Sequence, residues 1–148
     1  MKKILGLVLL MVVLTISTAT ISSKPSTMHT MEGTWELQNF YSYDGEDIID
    51  TVLIQNGYRQ VKMYYNGRVM WSRTDPNDTI GRFGFGSYRI TDTELIETIE
   101  YGDYGMMQAL DTLRNFTFEL RLKDDNYSQI FLDSDGGRTF SENYKRID

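Results

Sequence analysis

The chain of 148 residues contains no cysteine, one histidine and two prolines. Without cysteine it has no disulfide, no thiolate metal ligand, no thiol nucleophile and no lipidated cysteine behind a leader. The only histidine, His29, lies in a stretch rich in Ser and Thr, which argues against Ser-His-Asp chemistry and histidine-based zinc sites. We therefore expect no metal and no other cofactor.

Positive charge is also scarce, because the chain has 15 Lys and Arg residues against 21 Asp and Glu residues, which gives a net charge of −6. A sequence-independent nucleic-acid binder needs a basic surface, so we expect no nucleic-acid partner. The mean hydropathy of −0.38 is typical of a globular domain, and the length predicts a single one.

The first 34 residues lack aromatic side chains, and they begin like an export signal. Met1-Lys2-Lys3 is basic, residues 4–16 form an apolar run, and small residues lead to Ala19. This layout predicts a signal peptide over residues 1–19; a membrane anchor is the alternative, but it needs about 20 apolar residues. We expect a periplasmic or secreted protein without membrane contact after cleavage, with a flexible arm at 20–31 and a folded domain at 32–148.

All 19 aromatic residues lie after position 34, within segments of alternating apolar and polar residues. Asn56-Gly57 and Asn66-Gly67 predict type I′ hairpin turns, and hence three antiparallel neighbours. Segment 102–115 has helical spacing after Asp103, a possible N-cap, which predicts one or two helical turns. The nine predicted strands are 34–41, 51–55, 58–65, 68–73, 80–91, 94–101, 116–123, 127–133 and 138–147.

These strands predict an all-β fold, an antiparallel up-and-down β-barrel of about eight to nine strands. Closure of the sheet removes the unpaired edges that promote aggregation. Gly84 and Gly86 lie inside the fifth strand, where glycine indicates a bulge, a bend or a close approach. An open two-sheet sandwich is the alternative.

Four short motifs resemble the lipocalin-like branch of the calycin superfamily, in its small exported bacterial form. They are Gly33-Thr34-Trp35, residues 86–90 (GSYRI), residues 95–97 (LIE) and residues 142–147 (ENYKRI), and the likeness covers residues 32–147. The usual disulfide of that family is absent here, as is a long C-terminal helix.

The resemblance implies that Trp35 closes one end of the barrel, with the Arg146 guanidinium packed across its ring. Such a cation–π contact contributes about 0.5–2 kcal/mol. An ordinary core tryptophan and a solvated terminal arginine are the alternatives.

A barrel of eight strands is either filled by side chains or holds one small ligand. An apolar pocket with a few polar groups predicts a small hydrophobic or amphiphilic ligand, whereas a filled barrel would act as a protein-interaction or inhibitor module in the cell envelope. The side chains expected to face the interior, and to contact such a ligand, are Leu37, Met63, Tyr65, Trp71, Phe83, Phe85, Tyr88, Phe118, Leu120 and Phe131.

Glu97 and Glu142 are the acidic residues most compatible with an inward position. Two carboxyl groups about 5 Å apart would suit a retaining glycosidase. Inward acids of strands more often join ion pairs or hydrogen-bond networks, for example Glu142 with Arg146. We therefore expect that the protein is not an enzyme.

Overall fold

The computed structural model describes residues 31–148, so the predicted signal peptide and all of the predicted arm except Met31 lie outside the described residues. Within residues 31–148, no helix is long and apolar enough to cross a membrane. The elements are β1 (Gly33–Asp44), β2 (Asp47–Leu53), β3 (Arg59–Tyr65), β4 (Arg68–Thr74), β5 (Arg82–Ile90), β6 (Glu94–Gly102), α1 (Tyr104–Ala109), β7 (Asn115–Lys123), β8 (Asn126–Leu132) and β9 (Arg138–Arg146).

The nine strands form one antiparallel sheet that closes on itself through β1. One edge of β1 pairs with β9, from Trp35 opposite Arg146 to Ser42 opposite Phe140. The other edge pairs first with β3 and then, from Asn39 onward, with β2. The predicted all-β barrel is therefore confirmed.

The second strand departs from the predicted meander, because β2 and β3 both pair with β1 and not with each other. The predicted hairpin at Asn56-Gly57 is therefore wrong. Only Gly57 has a positive φ there, 87°, whereas Asn66 and Gly67 both have one, 49° and 74°. A type I′ turn needs two positive φ angles, so of the two sites only Asn66-Gly67 makes one.

Each predicted glycine position in β5 carries a close contact. A Cβ at Gly84 would lie 2.5 Å from the Trp71 indole nitrogen, and one at Gly86 would lie 2.0 Å from the Thr98 carbonyl oxygen. The pairing of β5 with β6 shifts between Phe85 and Gly86, as expected for a bulge. The short helix is also confirmed, because Asp103 accepts hydrogen bonds from the backbone amides of Gly105 and Met106.

The core at one end of the barrel is built from aromatic rings. Trp35 is fully buried and meets Tyr127 edge-on, with ring centres 4.9 Å apart. Tyr144 stacks on Tyr127 at 4.7 Å. Met31, predicted to end the flexible arm, is itself fully buried, and its carbonyl accepts the Trp35 indole hydrogen bond at 2.9 Å. The packed domain therefore includes Met31.

Candidate functional site

The interior of the barrel contains a cavity of about 240 Å³. A cavity of about 150 Å³ is enough to hold benzene, so this one has room for a larger ring system. Its apolar lining comes from Trp71, Ile99, Met106, Phe116, Phe118 and Phe131. Its polar lining comes from Gln60, Lys62, Arg73, Glu97, Gln129 and Glu142.

A buried ion pair occupies one side of this cavity. The Lys62 ammonium lies 3.0 Å from Glu97 Oε1 and 3.2 Å from Glu97 Oε2, and it donates to Gln129 Oε1 at 2.7 Å. All three residues are at most 5% exposed. Because an ammonium only donates, Gln129 must present its oxygen to Lys62, which leaves its amide NH₂ group next to the cavity.

A second polar group surrounds Glu142. Glu142 Oε2 accepts from the Tyr144 hydroxyl at 2.5 Å and from Gln60 Nε2 at 3.1 Å. The Tyr58 hydroxyl in turn donates to Gln60 Oε1 at 2.8 Å. Both inward acids thus take part in hydrogen-bond networks, although the partner suggested for Glu142, Arg146, lies elsewhere, over Trp35.

Two tyrosine hydroxyls donate to these carboxylates, and a third, that of Tyr127, lies 3.4 Å from the Tyr64 hydroxyl. Burial, reinforced by the charge of Glu97, raises the pKa of Tyr64 well above its usual value. Burial, reinforced by Glu142, does the same to the pKa of Tyr144, and burial raises that of Tyr127. These phenols therefore remain neutral donors at physiological pH.

The structure places six of the ten predicted interior side chains inside the barrel. Trp71, Phe118 and Phe131 line the cavity. Leu37, Tyr88 and Leu120 are buried in the hydrophobic core without lining it.

The inward placement of Met63 and Tyr65 is wrong, since they are 45% and 75% exposed. The inward residues of β3 are Gln60, Lys62 and Tyr64. Two of these three are polar, so hydropathy alone selects the opposite face of the strand, and a shift of one residue reverses every side chain.

The inward placement of Phe83 and Phe85 is also wrong. Phe83 is 37% exposed, and Phe85 packs with Tyr101 on the outer face, with ring centres 5.2 Å apart. The extra residue of the bulge, Glu100, belongs to β6, so β5 keeps one alternation throughout. Gly84 and Gly86 take the inward positions that Phe83 and Phe85 were expected to fill.

The predicted interior side chains did not include Gln60, Lys62 and Gln129, because polar residues of strands are ordinarily expected on the outer face. The available signal was the inward acid Glu97, because a buried carboxylate requires a buried partner. Within residues 31–148, no group of three or more acidic or histidine side chains is arranged to hold a metal ion.

The contact between Trp35 and Arg146 is present, with the guanidinium carbon 4.1 Å from the centre of the indole ring. Arg146 also donates to the Glu32 carbonyl. The guanidinium thus bridges the ring and the segment that precedes β1.

The geometry agrees with what comparison with known proteins finds. No protein-family model matches the chain, and no curated protein is significantly similar to it. A lipocalin-like protein from Bacteroides uniformis ATCC 8492 superposes with a TM-score of 0.56 at 13% identity, over 80% of this chain and 99% of that one. An uncharacterized protein from Bacteroides eggerthii DSM 20697 superposes with a TM-score of 0.52 at 14% identity, over 79% and 99%. This chain therefore has the lipocalin-like fold.

Proposed function

We propose that this protein binds a small hydrophobic or amphiphilic molecule inside its barrel. The supporting observation is the cavity of about 240 Å³, which combines aromatic walls with buried polar groups. Such a combination is typical of ligand pockets, in which apolar surface supplies affinity and a few polar groups orient the ligand. The alternative, an interaction module, rests on a filled interior, and the cavity favours the ligand-binding proposal over it.

The proposal is tested by titrating the protein with a neutral fluorophore, N-phenyl-1-naphthylamine. We expect saturable binding of one molecule per chain with a rise in fluorescence. Met106 lines the cavity, whereas its neighbour Met107 is exposed on the same helix, α1. Met106→Trp should weaken binding by about tenfold or more because it fills the cavity, and Met107→Trp is the matched control.

Absence of saturable binding would overturn the proposal, and so would equal binding by both variants. A circular dichroism spectrum of each variant checks that the barrel has folded.

The proposed site of action is outside the cytoplasm. The support is the sequence of residues 1–19, which has the layout of a cleaved signal peptide. Cell fractionation and N-terminal sequencing of the mature protein test this part. Recovery from the cytoplasm with Met1 intact would contradict it.

We also propose that the protein has no catalytic activity of its own. The inward acids Glu97 and Glu142 already accept hydrogen bonds from protein donors, which indicates a structural role for both. A hydrolytic activity that disappears in Glu97→Gln or Glu142→Gln would refute this.

A further inference from the structure

The two carboxylates inside the barrel have different charge environments. Each accepts a tyrosine hydroxyl at 2.5 Å, Glu97 from Tyr64 and Glu142 from Tyr144. Glu97 is also neutralised by the ammonium of Lys62 at 3.0 Å. Glu142 has no such partner, since no ion pair in the part of the chain that the structure describes includes it.

The carboxylate of Glu142 is held in place on one side only. Both of its hydrogen bonds, from Tyr144 and Gln60, end on Oε2, and Oε1 accepts none from residues 31–148. The Glu142 side chain lines the cavity. A carboxylate with an unused oxygen therefore borders a cavity whose other lining residues include four aromatic rings and the cations Lys62 and Arg73.

The aromatic part of the wall can also contact a cation at this position. Phe116, Phe118 and Phe131 line the same cavity, and aromatic faces attract cations. The chain has a net charge of −6, which favours the approach of cations and disfavours that of anions.

We propose that the ligand carries a protonated amine, which pairs with Glu142 while its apolar body fills the aromatic part of the cavity. This inference rests on the proposed function and specifies the class of ligand. The pair would be a charge-assisted hydrogen bond in a partly dehydrated site, where such bonds are strongest. The NH₂ group of Gln129 donates to no group in residues 31–148, so it can donate to an oxygen acceptor elsewhere on the same ligand.

Arg73 is the competing group, because it lines the same cavity and could receive a carboxylate. Binding of an amine at Glu142 and binding of a carboxylate at Arg73 can be distinguished with three ligands that share one ring system. These are tryptamine, tryptophol and indole-3-acetate. Their head groups are an ammonium, a hydroxyl and a carboxylate. We expect calorimetric titration to give tryptamine an affinity at least about tenfold higher than tryptophol, and indole-3-acetate the lowest affinity.

Glu142→Gln tests the assignment to this residue, because it removes the charge and keeps an acceptor for Tyr144. We expect it to abolish the preference for tryptamine over tryptophol. Glu94→Gln is the matched control, since Glu94 is exposed on β6 and its loss alters only the net charge.

The wild-type comparison needs no variant, so it remains decisive even if Glu142→Gln does not fold. Equal binding of tryptamine and tryptophol, or tightest binding of indole-3-acetate, would overturn the inference. Binding of N-phenyl-1-naphthylamine without binding of any indole ligand would also overturn it, while the proposed function would stand. If N-phenyl-1-naphthylamine does not bind either, both the proposed function and this inference are overturned.

Discussion

Arg146 connects three parts of the molecule at the closed end of the barrel. Its guanidinium lies over Trp35, donates to the Glu32 carbonyl and pairs with Asp125 at 3.3 Å. Asp125 is largely exposed, so that pair contributes little. The ring contact and the hydrogen bond to the backbone therefore contribute more than this exposed pair.

Arg146→Ala should lower the free energy of unfolding by about 1–3 kcal/mol, since it removes the cation–π contact and one hydrogen bond. Arg146→Lys should recover part of this loss, because an ammonium keeps the charge but not the planar stacking. Urea unfolding followed by tryptophan fluorescence measures both. Arg121→Ala, at an exposed arginine of β7, is the control, and an equal effect of the two alanine variants would refute the assigned role.

The pair of Lys62 and Glu97 is a buried ion pair, in which the loss of one member leaves an uncompensated charge. Lys62→Met should therefore cost about 3–5 kcal/mol of stability. Adding Glu97→Gln should recover about 1 kcal/mol or more, because it removes the stranded charge and keeps an acceptor for Tyr64. A double-mutant cycle in urea measures this coupling, and purely additive losses would contradict it.

At the scale of elements, the two Asn-Gly dipeptides show that this local signal predicts a hairpin at one site and fails at the other. Asn66-Gly67 joins β3 to β4 in the predicted hairpin, whereas Asn56-Gly57 lies on the crossing from β2 to β3. Nothing in the dipeptide distinguishes the two turns. The two turns differ because β3 pairs with β4, whereas β2 pairs with β1 and not with β3.

The backbone angles give these two turns opposite sensitivities. Asn66→Ala should destabilise the protein by about 1 kcal/mol, because alanine disfavours the positive φ of 49° that asparagine tolerates. Asn56→Ala is the matched control and should stay within about 0.5 kcal/mol of the wild type, since Asn56 is not among the residues of positive φ. The midpoints of urea unfolding of the two variants measure this difference. Equal losses of stability would contradict the assignment of different turn types to the two sites.

The position of β2 was the least accurate of the strand predictions. The structure has it at Asp47–Leu53 in place of residues 51–55. Every residue of β2 is exposed, so the strand has no buried face to impose alternation on its sequence. By contrast, β7 at Asn115–Lys123 buries Phe118 and Leu120, and its prediction was correct to one residue.

At the scale of the whole molecule, the barrel buries three tyrosines next to acidic groups. The folded-state pKa values of Tyr64, Tyr127 and Tyr144 are all raised well above that of a free phenol. In the unfolded chain, these groups ionise near pH 10. Above that pH the folded state binds more protons than the unfolded state, so stability falls as pH rises.

We therefore expect the free energy of unfolding to be insensitive to these tyrosines below about pH 9. Above about pH 10 it should fall by up to about 1.4 kcal/mol per pH unit for each of them. Urea unfolding between pH 8 and pH 12, together with tyrosinate absorbance, measures the effect. Ionisation of all ten tyrosines without any loss of the folded state would contradict it. Tyr127→Phe, which removes one such hydroxyl, should make the fall less steep.

The sequence alone was sufficient to predict the succession of strands along the chain, the short helix and most strand boundaries, but not the pairing of β2. Those features depend on local signals, namely alternation around buried residues such as Phe118, turn dipeptides and the N-cap Asp103. The sequence also identified Trp35 and Arg146 as partners, through the resemblance of the terminal motifs.

The inward faces of β3 and β5, the pairing of β2 and the presence of a cavity became evident only from the folded barrel. Lys62 can be buried because Glu97 and Gln129, which are distant in sequence, supply its partners. Phe83 lies outside because the Trp71 indole occupies the space above Gly84. Such choices depend on pairs of residues brought together by closure of the sheet, and no local pattern contains that information.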